Sequence, residues 1–545
     1  MSGARGALYA AELQAAETVL ETAVAESFPS PPGEPAADRL RGARDALARQ
    51  LDRTVLPVVC HELALAREAG ALSGRTPAER YEDFWARERL TPGLLADRYP
   101  VVAAGLSVIA STGAATIAYA VRRLAADLPE LVAAGIEPSD PRPAGPYGPR
   151  SVTPVGSDRH AGGGQVVACV LRSGRRVYYK PVPLAATILL HDFADLLDLP
   201  DELRLRRPAV VTRGTYGWQE EARFAPCASA AEVRRYWARC GVLLAVCCLL
   251  NFTDGHFENL VACGEHPVLV DTETLLQNYS WRNPSGRLES VVDTGLVQHA
   301  DPDAPGRGAF SAFQVLGGAR QYSLDPVPAD DGTDTMTVGF SRLGHEPPVN
   351  LPVLEGRFQP AAGHLPELLT GFRAVFARCR ERRAAILADG AFWDRVAAQE
   401  SRQIIRETAY YTRLLRLAEQ PAYATSRDGV AAELARRLET PEGSRYDALV
   451  ADEVSALLAH DVPYFRHPVS GTTLRAHTRT HPAFFRTSAL SQVRANIADL
   501  GEEFAAAQAA FLTEHLSTPP DDVSLSPDDV RLLGDRLTPT PTGLA

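Results

Sequence analysis

The sequence predicts an α+β fold, and three observations carry the prediction. Apolar residues recur at helical spacing through residues 1–135. After a proline-dense stretch the texture changes to short runs rich in β-branched and aromatic residues. Helical patterns then return and dominate from Leu365 onward.

Taken in order, Tyr9–Ala25 and Asp38–Val55 read as helices, separated by the proline-rich break Ser27–Pro35. Val101–Val121 is uncharged and long enough to cross a bilayer. It also holds Gly105, Ser107, Ser111, Thr112, Gly113 and Thr116 and is rich in Ala. It therefore predicts a buried helix, with no membrane span. Ile136–Pro154 carries Pro138, Pro141, Pro143, Pro146, Pro149 and Pro154, the clearest boundary in the chain. Beyond it, Val166–Leu171 and Arg176–Val182 predict a hairpin turning at Arg172-Ser173-Gly174-Arg175. Ala230–Phe252 predicts a helix, and Pro267–Val270 a short buried strand ending at Asp271. Residues 300–362 predict long loops with short strands. Leu365–Leu387, Ala391–Leu417 and Ala431–Ala459 predict helices, and Ser517–Ala545 a loosely ordered tail. The domain division is 1–135 helical, 136–155 linker, 156–229 β region, 230–420 catalytic region, 421–516 helical and 517–545 tail.

Composition narrows the function class. The chain has 545 residues, 45% hydrophobic and 23% charged, which excludes collagen-like, coiled-coil and wholly disordered classes. A net charge of −11 argues against duplex nucleic acid as a partner. Of the 56 basic residues, Lys180 is the sole lysine. In a chain that uses arginine wherever charge alone matters, a retained lysine points to a site that needs a compact ammonium. The eight cysteines form no C-x-x-C pair, and several lie in apolar runs such as Leu243–Leu250. No zinc site, no disulfide framework and a reducing, cytoplasmic compartment are expected. Met1–Gln14 shows no signal-peptide pattern.

The chemistry concentrates in Leu250-Asn251-Phe252-Thr253-Asp254-Gly255-His256-Phe257-Glu258-Asn259 and Val268-Leu269-Val270-Asp271-Thr272-Glu273. Kinases place a catalytic-loop Asp five residues before an Asn, with a second metal-binding Asp after a strand. Asp254, Asn259 and Asp271 repeat that order. Asp254 would orient or deprotonate a hydroxyl. Asn259 and Asp271 would offer oxygen ligands to Mg²⁺, and Glu273 would share the metal or orient its water. Lys180, at the end of the predicted hairpin, takes the place of a kinase ATP-phosphate lysine. Glu220 or Glu221 is the expected carboxylate partner. Gly162, Gly163 and Gly164 would let backbone N–H groups approach phosphates.

Together these stretches resemble the dehydratase part of class II lanthipeptide synthetases (the LanM enzymes) over roughly residues 80–500. The resemblance is carried by Gly156-Ser157-Asp158-Arg159-His160, Lys180, Tyr216-Gly217-Trp218-Gln219-Glu220 and the Asp254/His256/Asn259 and Asp271/Glu273 set. It continues in Arg402-Gln403-Ile404-Ile405-Arg406-Glu407-Thr408 and His460-Asp461-Val462-Pro463-Tyr464-Phe465. It implies a lipid-kinase-like two-lobed core with added helical N-terminal and C-terminal parts, and it implies ATP and Mg²⁺. Residues 156–229 would be the N-lobe-like part and 230–420 the C-lobe-like part. The implied reactions are phosphorylation of Ser or Thr in a ribosomally made precursor peptide, then elimination of phosphate to dehydroalanine or dehydrobutyrine.

Asp254, His256, Asn259, Asp271 and Glu273 match positions tied to phosphorylation. Asp158, His160, Lys180, Arg402 and Thr408 match positions tied to elimination, with Lys180 open to serving both reactions. A cation such as Arg402 or Lys180 stabilises a departing phosphate, and Asp158, His160 or Thr408 can handle protons. The residues alone do not say which of them takes the α-proton. Past Cys263 only Cys379 remains, so the zinc cyclase of the full enzymes is not expected here: either a separate cyclase acts, or the product keeps its dehydro residues, or the thiol partner is something else. Two other readings stay open: a kinase or phosphotransferase that does not eliminate, and a non-catalytic module that binds the precursor peptide.

Overall fold

The computed structural model describes residues 3–28, 35–138, 148–281, 290–298, 311–314, 322–342, 349–440 and 445–516. The fold is α+β, with long helices and small antiparallel sheets. The expected tail Ser517–Ala545 lies outside the described residues, as do parts of 300–362.

Helices Ala10–Ser27, Ala36–Glu68 and Pro100–Ala133 pack together at the N-terminal end. The third contains the uncharged stretch and is, among the described residues, the one helix long and apolar enough to cross a membrane. Its Val102, Leu106, Ala114, Ile117 and Val121 are buried in the core it shares with the other two.

The same core extends under a five-stranded antiparallel sheet. Its strands are β1 (Ser151–Pro154), β2 (Val167–Val170), β3 (Arg176–Lys180), β4 (Val210–Thr212) and β5 (Gly217–Glu220), ordered β1-β2-β3-β5-β4. The end of the expected linker 136–155 therefore contains a strand, β1. The predicted hairpin is β2–β3, with Val167 opposite Tyr179 and Gly174 at φ 86° in the turn. Alternation along β3 buries Val177 and Tyr179 on the core face. Asp127 of the long helix accepts hydrogen bonds from Tyr216 Oη at 2.8 Å and Trp218 Nε1 at 2.9 Å. Tyr216 and Trp218 thus dock the sheet onto that helix.

A second core surrounds helix Ala230–Leu249, which is buried on nearly every side and carries Cys240, Cys247 and Cys248 inward. It crosses helix Leu365–Glu381 at a glycine pair. A Cβ on Gly241 would lie 1.9 Å from Leu368 O, and one on Gly371 1.8 Å from Ala238 O. Backbone meets backbone here, with no side chain able to yield. Gly241→Ala is expected to cost about 3 kcal/mol of stability through overpacking, read as a lowered midpoint in denaturant unfolding.

Three predicted helices are divided, Leu365–Leu387 among them, which breaks at Arg382 into Leu365–Glu381 and Arg383–Ala388. The pattern Ala391–Leu417 resolves into helix Gly390–Ala397, strand Glu400–Gln403 and helix Thr408–Ala418. The strand exists because it pairs antiparallel with Phe465–Pro468, placing Arg402 opposite Arg466. Ala431–Ala459 likewise resolves into Arg427–Leu438 and Val450–Leu458.

Candidate active site

Helix Ala230–Leu249 ends where Leu250 N–H still donates to Val246 O, and Asn251 takes a left-handed φ of 51°. Asn is among the few side chains that accept that conformation readily. Its amide donates to Gln277 O at 3.2 Å and its Oδ1 accepts from Asn496 at 2.8 Å, which pins the start of the loop. Asp254 is also left-handed, at φ 72°. Gly255 follows because a Cβ there would fall 2.7 Å from Thr294 O. The loop then enters hairpin β6 (Leu260–Cys263) and β7 (His266–Leu269), with Leu260 opposite Leu269. Val270 N–H donates to Asn259 O at 2.8 Å, so Asn259 and Asp271 flank the open end of this hairpin.

Lys180 arrives from β3, in the other core, and is 7% exposed. Its ammonium donates to Val270 O at 2.5 Å and lies 3.8 Å from Asp271 Oδ2. The expected carboxylate partner, Glu220, is elsewhere. Register places Lys180 opposite Gly217 and Glu220 opposite Val177 at the far end of the strand. There Glu220 accepts from Arg206 at 3.1 Å and Ala209 N–H at 3.0 Å, while Glu221 pairs with Arg176. Asp271 replaces them as the partner of the lysine.

Asn259 Nδ2 donates to Asp254 O at 2.9 Å and contacts His256 Nε2 at 3.0 Å, which makes that nitrogen an acceptor. Both amide hydrogens are used, and Asn259 Oδ1 is left as an oxygen ligand. Asp271 Oδ1 accepts from Glu273 N–H at 3.2 Å. Burial raises the Asp254 carboxyl to about 7, with Arg402 opposing and the charges of Asp271, Glu273 and Asp158 adding to it. Burial holds His256 below its usual range.

Arg402 comes from the strand Glu400–Gln403. Its guanidinium pairs with Glu273 Oε1, and the Arg402 backbone N–H donates to Glu273 O at 3.1 Å. Tyr464 Oη donates to the other carboxylate oxygen, Oε2, at 2.9 Å. Both oxygens of Glu273 are therefore engaged away from the expected metal role. The charge of Arg402 acts on Asp158, His160, Asp254 and His256, favouring their less protonated forms.

Asp158 and His160 lie on the loop between β1 and β2. Asp158 keeps surface open to solvent, yet desolvation by its surroundings raises its carboxyl above the usual range. His160 Nδ1 lies 3.3 Å from Val462 O. A carbonyl only accepts, so Nδ1 carries the proton and Nε2 is the acceptor. Burial lowers the imidazole to about 3, aided by Arg402. The ring is expected to stay neutral, with its NMR shifts flat from about pH 5 to 8. Titration near 6.5 would contradict this.

The N–H groups of the glycine loop are engaged within the protein. Gly162 N–H and Gly163 N–H donate to Asp461 Oδ2 at 2.6 and 3.1 Å. A Cβ on Gly163 would sit 2.5 Å from Thr112 Oγ1. Gly164 closes the turn by exchanging backbone hydrogen bonds with His160. Thr408 opens helix Thr408–Ala418, where its carbonyl accepts from Thr412 at 3.1 Å. The contacts that join Arg402 to the site do not include Thr408. Tyr464 and Asp461 carried no expected role, although both lie in the stretch His460–Phe465.

No cluster of three or more His, Cys, Asp or Glu set for a metal is found among the described residues. Asp271 and Asn259 Oδ1 suit Mg²⁺ nonetheless, since that ion commonly takes one or two protein oxygens and fills its shell with phosphate and water. Glu273, committed to Arg402 and Tyr464, does not fit as a third ligand.

Over 449 residues the chain is 24% identical to the lacticin 481/lactococcin biosynthesis protein LcnDR2 of Lactococcus lactis subsp. lactis. The alignment covers 76% of this chain and 47% of that protein, so the chain spans about half the length of this relative. Residues 99–467 match the family described as a domain of unknown function, DUF4135. That span holds Asp158, Lys180, Asp254, Asp271, Arg402 and Tyr464 together, and the chain belongs to the DUF4135 family.

Proposed function

We propose that the chain is a peptide Ser/Thr dehydratase in lanthipeptide-type maturation, which phosphorylates a precursor peptide from ATP and then eliminates the phosphate. The two-lobed, lipid-kinase-like reading of the fold belongs to this proposal. The likeness to a lacticin biosynthesis protein supports the substrate class. One observation carries the chemistry. The segment Asp271-Thr272-Glu273 meets Lys180 through Asp271 and Arg402 through Glu273. A phosphoryl-transfer set and a cation suited to a departing phosphate therefore share one short stretch.

In this reading Lys180 binds nucleotide phosphate, and Asp254 orients the peptide hydroxyl and accepts its proton. Asn259 and Asp271 would hold Mg²⁺, which when bound would offset charge on the phosphoryl group. After transfer, Arg402 stabilises the leaving phosphate. His160, neutral with Nε2 open as an acceptor, and Asp158 are the groups placed to take a proton. Thr408 remains an expected participant, on the resemblance alone.

The test is mass spectrometry of a Ser/Thr-rich lanthipeptide precursor after incubation with the chain, ATP and Mg²⁺. Loss of water at Ser or Thr is the expected result. A product that stops at phosphopeptide selects a phosphotransferase without elimination, and unmodified peptide selects a binding module.

A further inference from the structure

Tyr464 stands where three parts of the site meet. Its hydroxyl donates to Glu273 Oε2 at 2.9 Å. The Arg402 guanidinium lies over its ring, 5.2 Å from the centroid. The His160 ring packs against it at 5.3 Å between centroids, tilted by 51°. Its position is set on both sides. Val462 N–H donates to Arg159 O at 2.8 Å, and Phe465–Pro468 pairs with the strand that bears Arg402.

We propose that Tyr464 is a positioning residue for phosphate elimination, holding Glu273 so that the Glu273–Arg402 pair and the His160 ring keep one arrangement. The proposal rests on the dehydratase reading above. Arg402 has Glu273 as its carboxylate partner, and a carboxylate held at one oxygen only can rotate about its terminal bond. The Tyr464 hydroxyl fixes the second oxygen. The ring also gives the guanidinium a flat face to lie against, which a planar cation uses well. With the carboxylate fixed on one side and the ring on another, the guanidinium is held in one orientation beside His160. Burial and the neighbouring Glu273 charge hold the phenol well above its ordinary range, so it remains a donor.

Tyr464→Phe removes the hydroxyl and keeps the ring. The experiment supplies a synthetic phosphoserine form of the precursor peptide with ADP and Mg²⁺, and follows dehydroalanine formation by mass spectrometry. The expected result is a kcat for elimination lower by roughly tenfold to a hundredfold, the range for losing a hydrogen bond to a charged group. KM for the phosphopeptide is expected to hold within about twofold, since the hydroxyl acts through Glu273 and not on the peptide. A general loss of structure would move both. Native kcat in Tyr464→Phe overturns the proposal, as does a fall carried by KM. If Tyr464→Phe does not fold, Glu273→Gln reads the same contact from its other side with Tyr464 in place, and native kcat there overturns it. Failure of the unaltered protein to eliminate would instead overturn the dehydratase reading.

Discussion

Asp254→Asn leaves the precursor peptide without phosphate and without dehydration. Asparagine matches aspartate in shape and accepts the left-handed φ of 72° at this position, so the loop keeps its form. Alanine would add backbone strain at the same site. What the variant loses is the carboxylate that orients the hydroxyl and takes its proton, a contribution of roughly 10²- to 10⁴-fold in rate. The groups that would hold nucleotide and Mg²⁺ stay in place, because Asn259 bonds the backbone carbonyl of residue 254, and Lys180 bonds Val270 O. Binding of a fluorescent ATP analogue with Mg²⁺ should therefore be near native while the peptide mass is unchanged. Phosphorylation at the native rate in Asp254→Asn would remove Asp254 from the mechanism.

Arg402→Ala separates the two half-reactions. The peptide is expected to gain phosphate and keep it. The loss of one preorganised contact to a departing anion slows elimination by about a hundredfold, or roughly 3 kcal/mol. The structure adds a complication that the residue type alone does not reveal. Arg402 is paired with Glu273, whose side chain is 15% exposed, and removing the cation orphans that carboxylate. Breaking such a pair costs about 3–5 kcal/mol when it is fully buried. Arg402→Ala combined with Glu273→Gln removes the orphaned charge. If both variants trap phosphopeptide and the double variant regains thermal stability, the catalytic and structural effects are told apart. Dehydrated peptide formed at the native rate by Arg402→Ala would end the elimination assignment.

Local chemistry made much of the site legible before any fold was known. The β2–β3 hairpin could be read from two β-rich runs around Arg172-Ser173-Gly174-Arg175, because a tight turn with glycine needs no distant partner. Lys180 stood out by its isolation among arginines, and the structure sets its ammonium 3.8 Å from Asp271. Asp254, Asn259 and Asp271 could be linked by spacing, since one loop and one hairpin carry all three. The resemblance to the lanthipeptide dehydratases pointed to Arg402 and His160 without saying what they touch.

The sequence by itself determined the α+β class through its periodicity, the hairpin that carries Lys180 through a turn between adjacent runs, and the spacing of Asp254 and Asn259, although distant Gln277 and Asn496 pin the loop that bears them. Only the tertiary structure decided the rest. Glu400–Gln403 reads as helix locally and becomes a strand because Phe465–Pro468, far along the chain, supplies its hydrogen bonds. Strand register chose Asp271 over Glu220 for Lys180 by placing Glu220 at the far end of the sheet. Asp461 took the glycine N–H groups, and Tyr464 and Arg402 took both oxygens of Glu273. A carboxylate bonds whichever donor the packing of distant segments brings within reach, and no spacing along the chain records that choice.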